Sequence, residues 1–334
     1  VLLAVSQLRH LIWCGLTEGG LKLPPHERVD LTPKLVKQAV ETYEGFLKGW
    51  NTWLQRRGHE PVKPMGPSGS STHAHRDIVD KPEMIYGDVD YLVSIPVSYD
   101  TEELTDQRKA DAASERDYEA LLVQYLKTTP AHVDVALTLK GAPTQVVIRL
   151  PGGEAVQVDT VMTHPEHADW MKGRYTPERG IKGYVSGNLY KALGDALTLN
   201  IGTEGVLARM KGDQRVASNV RSGVSFKRVS NNFRTFLLDI AQYLGATDID
   251  PMLEEHPGLD PEAINIDDLA MGIVGLARTL DEPDLLDRVL AGFQAGLESN
   301  VDKKASRDLS PDKLAKLRKL NKDQYERVRK IFRS

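Results

Sequence analysis

Cysteine is almost missing from this chain. Among 334 residues only Cys14 carries a thiol, which excludes an intrachain disulfide and a thiolate metal site. Such a chain fits a reducing interior, and the cytoplasm is the expected compartment. Long apolar runs are missing too. None approaches the roughly 20 residues that a membrane-spanning helix needs, so no membrane partner is expected. The apolar opening VLLAVSQLRHLIWCGL is interrupted by Arg9 and His10. With Val1, Val5, Leu8 and Ile12 on one face, it reads as a packed helix rather than a signal peptide. No internal repeat or low-complexity segment is visible, so the chain reads as globular throughout.

What remains is ordinary in bulk and uneven in detail. Hydrophobic residues make up 40% and charged residues 27%, as in soluble globular proteins. The length allows two domains. The formal net charge of −4 hides strong local asymmetry. Twelve Lys/Arg stand against four Asp/Glu from Trp170 to Arg234, two against fourteen from Thr235 to Asn300, and twelve against five from Val301 to Ser334. Basic blocks of this kind either face an anion or form solvated helix faces.

Periodicity outlines an α/β (α+β) chain. Val29 to Gly58 reads as a long helix, capped by Asp30 or Thr32 with Pro33 in its first turn. Its apolar stripe is Val36, Val40, Tyr43, Leu47, Trp50 and Leu54. Prolines and glycines in HEPVKPMGPSGSS then break the pattern, around a short strand from Val62 to Met65. A strand is expected from Met84 to Ile95 and a helix from Thr101 to Thr129, with Tyr118, Leu121, Leu122 and Tyr125 on its apolar face. Strand-type runs follow from Val133, Gln145 and Ala155, the last two joined by the turn at Pro151-Gly152-Gly153. Beyond His164 the expected elements are a helix from Ser186 to Leu197 and short strands near Gly205–Met210 and Val224–Val229. Helices follow over Asn231–Leu244, Asp267–Leu280, Pro283–Leu297 and Pro311–Phe332. The expected division is 1–165, a mixed sheet with flanking helices, and 166–334, a basic and mainly helical substrate-binding domain.

One constellation carries chemistry. Asp88 and Asp90 stand two apart at the mouth of a strand, so both side chains project to one face while Val89, Tyr91, Val93 and Ile95 face the core. Paired carboxylates repel unless a cation joins them, and a hard divalent ion with oxygen ligands suits them. A lone Asp-x-Asp is a weak signal, equally read as two solvated acids. Upstream lies Gly69-Ser70-Ser71, whose amides, backed by a helix N-terminus, could hold a phosphate. Downstream, Asp159 shares a strand face with Gln157, while Val156 and Val158 face the core. A neighbouring strand would bring Asp159 beside the other two acids.

On these residues the chain resembles the DNA polymerase beta-like nucleotidyltransferase superfamily. The matching pattern is the Gly69-Ser70 turn, the Asp88-Val89-Asp90 strand and the later acid Asp159. It covers roughly Val62 to Thr163, about a third of the chain. The segment HRDIVDKPEMIY makes the span from turn to acids longer than that family's compact spacing. The resemblance implies two Mg²⁺ ions, with Mn²⁺ as the alternative, held by Asp88, Asp90 and Asp159. It implies that Gly69, Ser70 and Ser71 contact the phosphates of a nucleoside triphosphate, ATP among them. The implied reaction is template-independent transfer of NMP to a hydroxyl with pyrophosphate release. A nucleic-acid 3′ end, with RNA binding, is the leading acceptor. Synthesis of cyclic or linear signalling oligonucleotides, nucleotidylation of a small molecule or protein, and a non-catalytic nucleic-acid-binding module stand as alternatives. A metal-dependent glycosyltransferase also uses Asp-x-Asp, but there the apolar strand usually runs into the acids rather than away from them.

Other residues carry weaker signals. Lys182 is a further expected nucleotide contact, and Arg174 and Lys191 are expected substrate contacts. Lys172 and Arg179 lie in the same segment. Arg209, Lys211, Arg215, Arg221, Lys227, Arg228 and Arg234, with Phe226 and Phe233 nearby, either track a phosphate backbone or combine surface charge with core aromatics. The basic tail KLAKLRKLNKDQYERVRKIF is amphipathic, and packing of one face explains it without a ligand. His73 and His75 read as solvated turn residues. His164 and His167, in THPEH, would need a second pair of ligands to hold zinc, and the sequence shows none.

Overall fold

A computed structural model describes residues 29–86, 88–97, 104–128, 133–136 (backbone only), 144–178, 183–209, 226–249, 252, 265–305 and 310–334. The apolar opening, and the helix expected there, lie outside the described residues. The chain is a mixed α/β protein with a helical C-terminal region. Apart from the start of the helix at Leu104, it divides into two compact units between Ala168 and Asp169.

The first unit begins with α1 (Pro33–Arg56). Thr32 caps it, its hydroxyl accepting from the Leu35 amide, and Pro33 fills the first turn, where no amide hydrogen is required. Its buried face includes Val36, Tyr43, Leu47, Trp50 and Leu54 of the stripe read from spacing, while Val40 is only partly buried. The strands are β1 (Lys63–Ser68), β2 (Val89–Ser94), β3 (Val133–Ala136), β4 (Thr144–Arg149) and β5 (Ala155–Thr163). Two helices interleave with them, α2 (Ala74–Asp80) and α3 (Leu104–Thr128). The sheet order is β1-β2-β5-β4-β3, with β2 and β5 parallel and the other pairs antiparallel. One sheet face packs on α1: Val89, Tyr91 and Val93 of β2, Val156 and Val158 of β5, and Val146 and Ile148 of β4 join its apolar stripe in a single core.

Two boundaries differ from expectation. β1 extends past Met65 through Pro67 to Ser68, because it is an edge strand and its two prolines need no second partner. β2 starts only at Val89. Upstream, Tyr86 makes an isolated bridge to Leu31 instead of joining the sheet.

The second unit contains α4 (Ala168–Tyr175), α5 (Gly183–Leu197), β6 (Leu199–Gly202), β7 (Gly205–Arg209), β8 (Phe226–Ser230), α6 (Phe236–Tyr243), α7 (Ile266–Thr279), α8 (Leu285–Ala305) and α9 (Pro311–Phe332). The strands form a small antiparallel sheet in the order β6-β7-β8. The elements α4 and β6 were not foreseen from sequence. Helix α6 begins five residues later than Asn231, because Ser230 donates to Asp239 and Asn232 accepts from the Arg234 amide, closing a turn first. Trp170, Tyr190, Phe233 and Phe236 pack edge-on or tilted against one another. Phe233 is therefore a core residue, not an exposed stacking platform.

The tail helix α9 is a packing element. Val328 and Phe332 are buried, and Asn321 donates to the Leu297 carbonyl while accepting from the Tyr184 hydroxyl. Arg327 reaches Glu178, Asp267 and the α7 cap Asn265. Among the described residues no helix is long and apolar enough to cross a membrane.

Candidate active site

The three acids come together through strand register. β2 and β5 run parallel with Asp90 directly beside Asp159, so both project from the sheet face opposite α1. Asp88 lies two residues before Asp90 on the same alternation. Its charge is felt at both neighbours, raising the carboxyl groups of Asp90 and Asp159. The opposite face is locked by hydroxyls. Tyr43 of α1 and Thr160, one residue past Asp159, share a buried 2.5 Å hydrogen bond, and Tyr91 donates to Glu44 at 3.0 Å. The helix therefore sets the position of both acid-bearing strands.

Burial and mutual repulsion oppose ionisation of these acids. Burial, then Asp88, then Asp159 push the Asp90 carboxyl from 3.8 to about 7. Burial also raises Asp159, to about 6. The Gln157 amide opposes that rise, Asp88 adds to it, and Gln145 opposes it. Gln157 donates to Asp159 at 2.5 Å, and Gln145 stands beside Asp159 on β4. The buried Asp159 and the half-buried Asp90 thus sit close to a third carboxyl, and the amides of Gln157 and Gln145 soften the repulsion acting on Asp159.

The Gly-Ser turn lies against these acids. Ser68 ends β1 directly beside Asp90, and a short 3-10 turn, Gly69–His73, follows. Gly69 has φ of +60°, and a Cβ there would run into the Asp90 carboxylate. Glycine is thus required twice, for the backbone conformation and for the close approach. Ser70 is half-buried on the turn. The Ser71 hydroxyl is buried and committed: it donates to the Ser68 carbonyl at 2.6 Å and approaches the Asp90 carbonyl at 3.2 Å. It braces the turn against β2, so a phosphate would meet amides and Ser70 here rather than this hydroxyl.

The long span between turn and acids is folded back on itself. It forms α2, followed by a return in which Tyr86 donates to Asp77 at 2.5 Å and its amide bonds the Leu31 carbonyl. The extra residues therefore leave the turn beside Asp90.

Sequence reasoning missed three site residues. Gln157 was legible as a neighbour on the strand but was given no role. Gln145 and Ser68 enter only through register. Ser68 is 1% exposed and its hydroxyl has no hydrogen-bond partner. Lys182 lies outside the described residues, as do Arg179, Lys211, Arg215 and Arg221. Arg174 and Lys191 belong to the second unit. The Arg174 Nε is buried without a hydrogen-bond partner, and its guanidinium lies 5.3 Å from the Tyr175 ring. Lys191 lines a groove of about 370 Å³ between α5 and α8, which also includes Asn188 and Lys303.

Among the described residues no group of three or more His, Cys, Asp or Glu side chains is gathered as in a formed metal centre. The donor chemistry of the acid cluster still fits a hard cation. Its donors are carboxylate oxygens, and a dication would relieve the repulsion that lifts Asp90 and Asp159. Compared with known proteins, the chain matches no protein-family model and no curated protein.

Proposed function

We propose that the chain is a metal-dependent nucleotidyltransferase that moves NMP from a nucleoside triphosphate to a hydroxyl acceptor. The observation that carries this reading is the direct Asp90–Asp159 register with Gly69 closed against Asp90. The acids and the Gly69–Ser71 turn belong to the same compact unit. Asp88, Asp90 and Asp159 would hold Mg²⁺ or Mn²⁺. When bound, the ions would lower the acceptor hydroxyl pKa and neutralise charge on the leaving pyrophosphate. The protein's own part is positional. Gln145 and Gln157 orient Asp159, the Tyr43–Thr160 bond fixes β5 against α1, and the Gly69–Ser71 turn offers amides to phosphate oxygens.

Two acceptors fit this chemistry. A nucleic-acid 3′ end accords with the basic blocks of the sequence. A second nucleotide, giving a signalling oligonucleotide, accords with the long α1 packed beneath the acid strands and with the helical second unit. Incubation with each labelled NTP and Mg²⁺, with and without RNA or DNA, separates them. RNA- or DNA-dependent extension supports the first, and a short oligonucleotide made from NTP alone supports the second. No pyrophosphate release from any NTP under either condition contradicts the proposal.

A further inference from the structure

His164 and His167 follow β5 at the turn that leads into α4 and are 3% and 2% exposed. None of their four ring nitrogens has a hydrogen-bond partner. Native proteins rarely leave so much buried polarity unsatisfied. Facing them are Asp111 and Glu115, one turn apart on α3 and so on one side of that helix. His164 Nε2 lies 3.6 Å from Asp111 Oδ1 and 3.5 Å from Glu115 Oε1. His167 Nε2 lies 3.7 Å from Asp111 Oδ2. Both rings therefore present the same nitrogen to carboxylate oxygen, and Asp111 divides its two oxygens between them.

The distances carry the argument. All three exceed the roughly 2.7–3.2 Å of an N–H···O hydrogen bond. Two donors bound to one tetrahedral zinc at about 2.0–2.1 Å stand about 3.4 Å apart, close to the spacings found. The ring centroids are 6.3 Å apart. Two imidazoles on one zinc would bring them to about 5 Å, so the rings would close by about 1 Å. As placed, no three or more His, Cys, Asp or Glu among the described residues are close enough to hold an ion, so this closure would have to accompany its binding.

We propose that Asp111, Glu115, His164 and His167 form a structural zinc site that fastens α3 to the end of β5. The sequence supplies H-x-x-H on the turn and D-x-x-x-E on the helix, the second ligand pair that spacing alone did not reveal. Two neutral imidazoles and two carboxylates balance a dication, and imidazole nitrogen favours zinc over magnesium. Glu115 is 47% exposed and gives the ion a path from solvent. The site is separate from Asp88, Asp90 and Asp159 and does not depend on the proposed reaction.

The test uses the full chain, stripped with chelator at pH 7.5 and titrated with Zn²⁺ against a chromogenic competitor, and in parallel with Co²⁺. The expected result is one zinc per chain and the visible absorption of tetrahedral cobalt with nitrogen and oxygen donors. Asp111→Asn and the His164→Ala/His167→Ala pair each weaken zinc binding by more than about 100-fold. The Asp88→Asn/Asp159→Asn pair leaves it unchanged. Zinc uptake lost in that last pair but kept in the histidine pair would move the ion to the acid cluster and overturn the proposal. No uptake at micromolar zinc would also overturn it, leaving His164 and His167 packed beside Asp111 and Glu115 without an ion. If a variant does not fold, the wild-type cobalt titration decides by itself, since a spectrum without tetrahedral character contradicts the site.

Discussion

Replacing Asp90 by Asn should stabilise the metal-free protein, and the gain should depend on pH. Asp90 is raised from 3.8 to about 7, first by burial and then by Asp88 and Asp159. A carboxyl with a raised native pKa favours folding while it keeps its proton, and that advantage fades as pH climbs through the native value. Above pH 7 the folded protein therefore holds a carboxylate it would rather protonate. A change from 3.8 to about 7 corresponds to about 4 kcal/mol, and solvent at the exposed edge of Asp90 trims this to about 2–3 kcal/mol. Asn keeps the shape and removes the charge. In chelator at pH 8 the variant should melt about 5–10 °C above wild type. The gap should be smallest near pH 4.5 and open as pH rises to 7. Added Mg²⁺ should raise the wild type and not the variant, narrowing the gap. Thermal melts across pH 4.5–8.5 read both effects. A variant equal to or less stable than wild type at pH 8, or a gap independent of pH, would refute the reasoning.

Gly69→Ala should cost about 1–2 kcal/mol from its positive φ and from the collision with Asp90, and should abolish nucleotide turnover. Gly66→Ala is the control: its φ is +99° but an added Cβ meets nothing within 4 Å, so it bears backbone strain alone and keeps activity. Parallel melts and pyrophosphate assays distinguish the pair. Tyr43→Phe leaves the Thr160 hydroxyl buried without its partner and should lower stability by about 1–3 kcal/mol in urea titration. A change below about 0.5 kcal/mol would remove the role given to that bond in locking β5.

How much of this was legible in the sequence depends on whether the determining contact is local. The alternation of Asp88, Val89, Asp90 and Tyr91 stated which side chains share a face, because a strand has period two. The same rule placed Val156 and Val158 in the core, and both are fully or almost fully buried. The α1 stripe was equally plain, since helical spacing is a local property. The partnership of Asp90 with Asp159 could only be supposed. It rests on parallel pairing between β2 and β5, and nothing near either acid sets that register. Gln145 and Ser68 were invisible for the same reason. Pro67 misled in another way: with Gly66 it read as the end of the strand, yet an edge strand tolerates it. Asp111 and Glu115 lie about fifty residues before the histidines they face, on a helix read only for its apolar stripe.

The most direct test of the central claim is Mg²⁺-dependent pyrophosphate release measured for wild type, Asp88→Asn and Asp159→Asn, with circular dichroism to confirm that each is folded. The account predicts release by wild type from at least one NTP and a loss of about 100-fold or more in each folded variant. Wild-type activity retained in both variants would contradict it.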